Sequence, residues 1–226
     1  MALTLTDALT HLRSRLDEPT SAFWSDAELT RWINEGANDI ARRTECLRDE
    51  ADIAATAGTQ DYTAPVDLIR ATGLEWRPTS TDHRYPLQYR DRHNADSVWG
   101  AGQASSDGAP MIWTSWGFPP ALTIKVFPTP NEDGNLHIYY YRLPAAVSAG
   151  VDVIETPSGW EDLVLEYATM LAYRKDGNPS WQQAFQHYEQ RVTDLLNTAI
   201  RFNDQAGYID DVSPLAPMWL YEGTGW

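Results

Sequence analysis

The sequence predicts an α+β protein: a four-helix bundle, made of two N-terminal and two C-terminal helices, with a β-rich insertion and an extended C-terminal tail. Three observations predict it. Apolar residues recur at helical spacing on both sides of the chain's centre, short β-branched and aromatic runs fill the middle, and the final segment is apolar but aperiodic. The boundaries that follow are 1–45 for the N-terminal helices, 46–156 for the insertion, 157–201 for the C-terminal helices and 202–226 for the tail. With 226 residues, 42% of them hydrophobic and 12% aromatic, the chain has enough apolar surface to bury a sizeable core.

From Thr4 to Leu16, the residues Leu5, Leu9, Leu12 and Leu16 fall on one helical face, and Asp17-Glu18-Pro19 ends that helix. Trp24-Ser25-Asp26-Ala27-Glu28 then reads as a capping box, with Ser25 as the cap and Glu28 reaching back. Behind it Leu29, Ile33, Gly36 or Ala37, and Ile40 form the stripe of a helix running to about Thr44.

Between Cys46 and Thr156 the pattern is that of strands joined by loops. Its clearest runs are Ala121 to Phe127 and Leu136 to Arg142, expected to pair as an antiparallel hairpin across Pro128–Asn135. Gln60 to Thr63 and Leu74 to Arg77 are further strand candidates, and Tyr89 to Trp99 reads as a short helix before a Gly/Ser-rich loop.

Helical periodicity returns at Ser158-Gly159-Trp160-Glu161, a second capping box, and stops at Asp176-Gly177. Asn178-Pro179 starts the fourth helix, where Trp181, Phe185, Tyr188, Val192, Leu195 and Ala199 repeat at spacings of four and three. The candidate helix-packing residues are therefore Trp32, Ile33 and Ile40, then Leu163, Tyr167 and Leu171, then Phe185, Tyr188 and Val192. Past them lie Leu215, Met218, Trp219, Leu220, Tyr221 and Trp226, a patch too apolar to stay uncovered, expected to dock on a partner or to fold back on its own domain.

Charge narrows the function. Asp and Glu number 32 against 17 Lys and Arg, so the net charge is 17 − 32 = −15. Anionic membranes and nucleic acids are repelled unless cations cluster, and the densest spots, Arg42-Arg43 and Arg90-Asp91-Arg92, sit among acids. The single Cys46 rules out an intramolecular disulfide and fits a reducing compartment. Neither an export signal nor a membrane span is expected, since Met1-Ala2-Leu3-Thr4 opens without a basic region followed by an apolar run, and no stretch of 18 apolar residues occurs.

No catalytic, cofactor or metal site is expected. The histidines at 11, 83, 93, 137 and 187 lack the spacing of a helix-borne zinc site, and the glycine-rich nucleotide loops and the serine nucleophile elbow are missing. His83 and His93 beside Asp82 and Asp91 read as a solvated loop, and Cys46 reads as a packed thiol. The enzyme alternative is a carbohydrate-binding or glycoside-cleaving module, with ten tryptophans as sugar platforms and paired carboxylates for hydrolysis.

The order of elements resembles the head-to-tail adaptor (connector) proteins of tailed bacteriophages. The resemblance is carried by Trp24 to Ala41, with its Trp32-Ile33-Asn34-Glu35 core, and by Tyr62 to Arg70. It continues through Ile124 to Pro130, Ile138 to Pro144, Glu155-Thr156-Pro157 and the paired helices around Tyr167-Ala168 and Tyr188. The stretch from Met111 to Phe118 and the aromatic tail depart from that pattern. The resemblance implies a non-catalytic structural protein of the virion, made in the host cytoplasm. It also implies a homo-oligomeric ring, usually of twelve copies, under the portal. Its partners would be the portal protein above, a tail or stopper/nozzle protein below, and passing DNA that it does not bind specifically.

Overall fold

Thr4 opens the first helix, α1 (Leu5–Arg15), by accepting the Asp7 N–H on its hydroxyl. Ser25 does the same for the Glu28 N–H at the start of α2 (Asp26–Thr44). The other half of that capping box is absent: the Glu28 carboxylate takes Lys175 Nζ at 2.7 Å instead, because a full charge outcompetes an N–H of its own turn. A computed structural model supplies these coordinates and describes residues 3–18, 21, 23–81, 83–93 and 107–205.

The C-terminal pair comprises α3 (Glu161–Asp176) and α4 (Trp181–Gln205). Ser158 is not the cap of α3. Trp160 holds that position without a side-chain bond, and Glu161 accepts the Gly159 N–H. Helix α4 starts two residues after Pro179, because Asn178 first makes a tight turn by accepting the Ser180 N–H. It also runs past Arg201, the expected end.

Helix α3 touches each of the other three helices. Leu5, Leu12, Leu29, Ile33, Leu163 and Tyr188 are among the residues of their shared apolar core. This is the burial that the 3.6-residue period demands.

Among the described residues nine strands lie between α2 and α3: β1 (Arg48–Ala55), β2 (Asp61–Thr63), β3 (Leu68–Pro78), β4 (Tyr85–Tyr89), β5 (Asp107–Gly108), β6 (Ile112–Trp116), β7 (Thr123–Phe127), β8 (Thr129–Pro130) and β9 (Gly134–Arg142). Seven form one sheet in the order β1-β9-β3-β4-β6-β7-β2, antiparallel except between β4 and β6, while β5 and β8 pair in a short parallel ribbon.

The expected hairpin of residues 121–127 with 136–142 does not form. β7 lies between β6 and β2, whereas β9 lies between β1 and β3. The cause is Pro128-Thr129-Pro130: two residues without an N–H cannot continue an interior ladder, so the chain leaves the sheet there and pairs with β5. Tyr89 ends a strand rather than opening a helix. Arg92 and His93 are helical, and residues 94–99 of the expected helix lie outside the described residues.

The sheet has its own core, in which Trp76, Ile124, Leu136 and Ile138 are shut off from solvent. Strands of both ends of the order contribute to it, and among the described residues no helix packs broadly on it. A sheet whose two edge strands, β1 and β2, share one core is curled around its own apolar face.

Candidate functional site

Among the described residues, three polar junctions tie together the helices, the sheet and the segment of residues 143–156 that follows β9. Arg70 grips Glu45, the residue that closes α2, through two bonds of 2.9 and 2.5 Å. Arg142, the last residue of β9, grips Glu155 at 2.7 and 3.0 Å and reaches Asp49 at 3.0 Å. The Arg142 guanidinium holds the Glu155 carboxyl below the ordinary range, and the Ala145 N–H adds to this against partial burial. Third, the Asn34 amide on α2 exchanges two 2.9 Å bonds with the backbone of Val147, as a neighbouring strand would.

On α2 and α4 a half-exposed polar cluster, of which Tyr188 alone is buried, sits at the edge of the apolar core. The Tyr188 hydroxyl donates to Asp39 at 2.7 Å, and Arg43 forks onto Glu189 with two 2.7 Å bonds. Burial, followed by the Asp39 carboxylate, pushes the Tyr188 hydroxyl far above its ordinary value, and the Arg43 bonds hold Glu189 below its own. The outer face of β1, β9 and β3 carries a second cluster. His137 lies 2.6 Å from Asp52 and 3.4 Å from Glu50, while Tyr139 and Arg77 share Glu75. Among the described residues, no group of three or more His, Cys, Asp or Glu is arranged to hold a metal ion.

The tryptophans within the described residues are occupied. Trp24, Trp32, Trp76 and Trp113 are buried, and the three partly exposed ones each lie under an arginine: Trp116 under Arg92, Trp160 under Arg191 and Trp181 under Arg174. In each of the three an arginine of the same chain covers one face of the ring.

Comparison with known proteins gives a family match, SU10 adaptor protein, over residues 3–216. The chain belongs to the SU10 adaptor protein family. That finding agrees with the resemblance to phage head-to-tail adaptors carried by Trp24 to Ala41 and the later segments. No curated protein matches this adaptor. Among solved structures it is similar to a chain of the neck of an empty GTA particle computed with C6 symmetry. The two are 15% identical with a TM-score of 0.29, and the match covers 77% of this chain and 83% of that one.

The sequence-predicted residues of the adaptor fall in three groups. Trp32, Ile33, Ile40, Leu163, Tyr188 and Val192 are buried in the helical core, with Tyr167 and Leu171 packed against it. Phe185, expected beside them, is 44% exposed. It shares the stripe of Tyr188 and Val192 but lies one turn nearer the start of α4, outside the part of the helix that enters the shared core. Leu215, Met218, Trp219, Leu220, Tyr221 and Trp226 lie outside the described residues. Sequence reading missed Arg70, Arg142 and Asn34 because nothing in a local pattern says which carboxylate or backbone a distant polar residue will meet. It also missed the exposed tip at Phe118, although the uncharged run Met111–Leu122 around it was the available signal.

Proposed function

We propose that this adaptor assembles as a ring of twelve copies beneath the portal of a tailed bacteriophage, joins the capsid to the tail and lines the channel through which the genome passes. The family match across residues 3–216 carries this reading. In it the four helices act as a bundle that forms the wall of the ring. The β module of residues 46–156 faces a tail or stopper/nozzle protein or a neighbouring copy, and residues 202–226 dock on the portal. The protein works at the head-tail interface of the virion after synthesis in the host cytoplasm, and it catalyses no reaction.

The charge supports the channel role. A chain of net charge −15 presents DNA with walls that repel its phosphates, so the duplex slides without being held. The tail adds to that charge, since Asp204, Asp210, Asp211 and Glu222 have no Lys or Arg among residues 202–226. Its apolar groups supply what a docking segment needs to pair with a hydrophobic groove.

The test is to mix purified adaptor with portal rings of the same virion and weigh the product by light scattering coupled to size exclusion. A mass gain of one adaptor per portal subunit is expected, and deletion of residues 206–226 should abolish it while leaving the helix content intact. An adaptor that elutes unchanged beside the portal refutes the reading.

A further inference from the structure

We propose that His137 is a pH-sensitive latch on the edge strand β1: its charged ring holds both Glu50 and Asp52 of that strand, and loss of one proton releases Glu50. The inference concerns a single copy and stands apart from the ring reading. β1 ends the sheet order, with β9 as its partner along its whole length, so contacts across that one seam decide how firmly the edge is held.

The register of three strands builds the latch. Asp52 on β1, His137 on β9 and Glu75 on β3 are direct cross-strand partners, so their side chains leave the sheet on the same outer face. Glu50 and Tyr139 form the neighbouring pair, and Arg77 follows Glu75 by two residues on that face. His137 is 5% exposed, with the Tyr139 ring in a T-shaped contact at 4.7 Å. Its Nδ1 lies 2.6 Å from Asp52 Oδ1 and its Nε2 lies 3.4 Å from Glu50 Oε2.

Proton counting couples the ring to the strand. An ionised carboxylate only accepts, so each ring nitrogen that faces one must donate, and imidazole carries N–H at both nitrogens only in its charged form. The neutral ring turns a lone pair on one of the two carboxylates. Asp52 has the shorter bond and keeps the remaining N–H, so Glu50 is the group set free. The charged and titratable groups facing this ring are Glu50 and Asp52 from β1, Glu75 and Arg77 from β3, and Tyr139 from β9 itself. Arg77 is engaged by Glu75 at 2.9 and 3.2 Å and lies 3.8 Å from Asp52, while the Tyr139 hydroxyl donates to Glu75 at 3.3 Å. Arg48, two residues before Glu50, reaches the Tyr141 hydroxyl at 3.1 Å and lies over that ring. Three carboxylates around His137 thus share the permanent charge of Arg77, and imidazole is the side chain whose own charge changes between about pH 5 and 8.

The experiment follows the full chain by NMR between about pH 5.5 and 8.5, where carboxylates stay ionised and imidazole titrates. Ring nitrogen shifts report the protonation and tautomer of His137. Amide exchange in β1, expressed as protection against the intrinsic rate, reports its hold on β9, with the amides of β3 as reference. As the ring loses its proton, β1 protection is expected to fall about fivefold, the size of one exposed charge pair, while β3 stays level and the neutral ring keeps its proton on Nδ1. Glu50→Gln, at a side chain open to solvent, should abolish that fall, because a glutamine amide accepts from the charged ring and donates to the neutral one. His137→Gln should likewise leave β1 protection independent of pH. A wild-type β1 whose protection does not change across the titration, a fall that survives in either variant, or a neutral ring protonated on Nε2 overturns the proposal.

Discussion

Two glycines of the sheet should respond to alanine in opposite directions. At Gly134, the first residue of β9, a Cβ would lie 2.6 Å from the Arg77 carbonyl oxygen and 2.6 Å from Trp76 Cη2. The first atom is backbone of the paired strand, and the second belongs to a ring fully enclosed by the β core, so neither can swing aside. Overpacking costs about 1–3 kcal/mol, and two contacts this short put Gly134→Ala at the upper end, about 3 kcal/mol. At Gly73, in β3, the nearest atom is Tyr139 Cδ2 at 3.6 Å, an ordinary contact. There alanine only restricts the unfolded chain, a gain of about 0.5 kcal/mol. Urea unfolding followed by tryptophan fluorescence, with slopes compared, measures both. A Gly134→Ala protein as stable as the wild type would refute the close approach of β9 to Trp76.

Further outcomes follow from the polar clusters and the helical core. Glu155 titrates below its ordinary value in the folded state, so its contribution is complete above about pH 4.3 and is lost as pH falls further; Glu155→Gln should lose less stability than the wild type in denaturation between about pH 5 and pH 3. Burial pushes Tyr62 and Tyr140 up to about 12, and Tyr188 higher still. Their stabilisation is complete below about pH 10 and is lost as pH climbs through the folded values, so phenolate absorbance at about pH 11 should increase on adding denaturant. Simultaneous titration of all eleven tyrosines in the native protein would contradict that. Ile33→Ala should cost about 2–5 kcal/mol by leaving a cavity, whereas Phe185→Ser should change thermal stability by less than about 1 kcal/mol.

The helices were legible because their signals are local. Thr4 and Ser25 cap within their own turns, and the stripe of α2 coincides with its buried face, whereas α3 is buried more widely than its stripe, at Val164, Leu165, Ala168 and Ala172 as well. The sheet was legible only as a composition. β1 escaped notice because its core-facing residues are Ala51, Ile53 and Ala55, small groups between acids that give little apolar contrast. The order of strands was not legible at all: β9 pairs with β1 and β3 across long stretches of chain, and only tertiary packing selects among such partners. For the site, the apolar anchors could be named from periodicity. The junction residues Arg70, Arg142 and Asn34 could not, since each meets a partner far away in sequence.

Two cores without a shared layer make the angle between the helices and the sheet depend on those junctions. Arg70 with Glu45 is about half exposed, and such a pair contributes at most about 1 kcal/mol and weakens with salt. Arg142 with Glu155 is better shielded and bidentate, and Asn34 with Val147 carries no net charge. The attachment is therefore strongest where β9 hands the chain to residues 143–156, which also carry the bridge from Val153 to Thr4 at the head of α1. The sheet thus meets the helices along two paths: β1 runs directly from the end of α2, and β9 leads through residues 143–156 to the start of α1 and the middle of α2. In the proposed ring, contacts with a tail protein through the β module would reach the helical wall by both paths, and α2 is the element on which they converge.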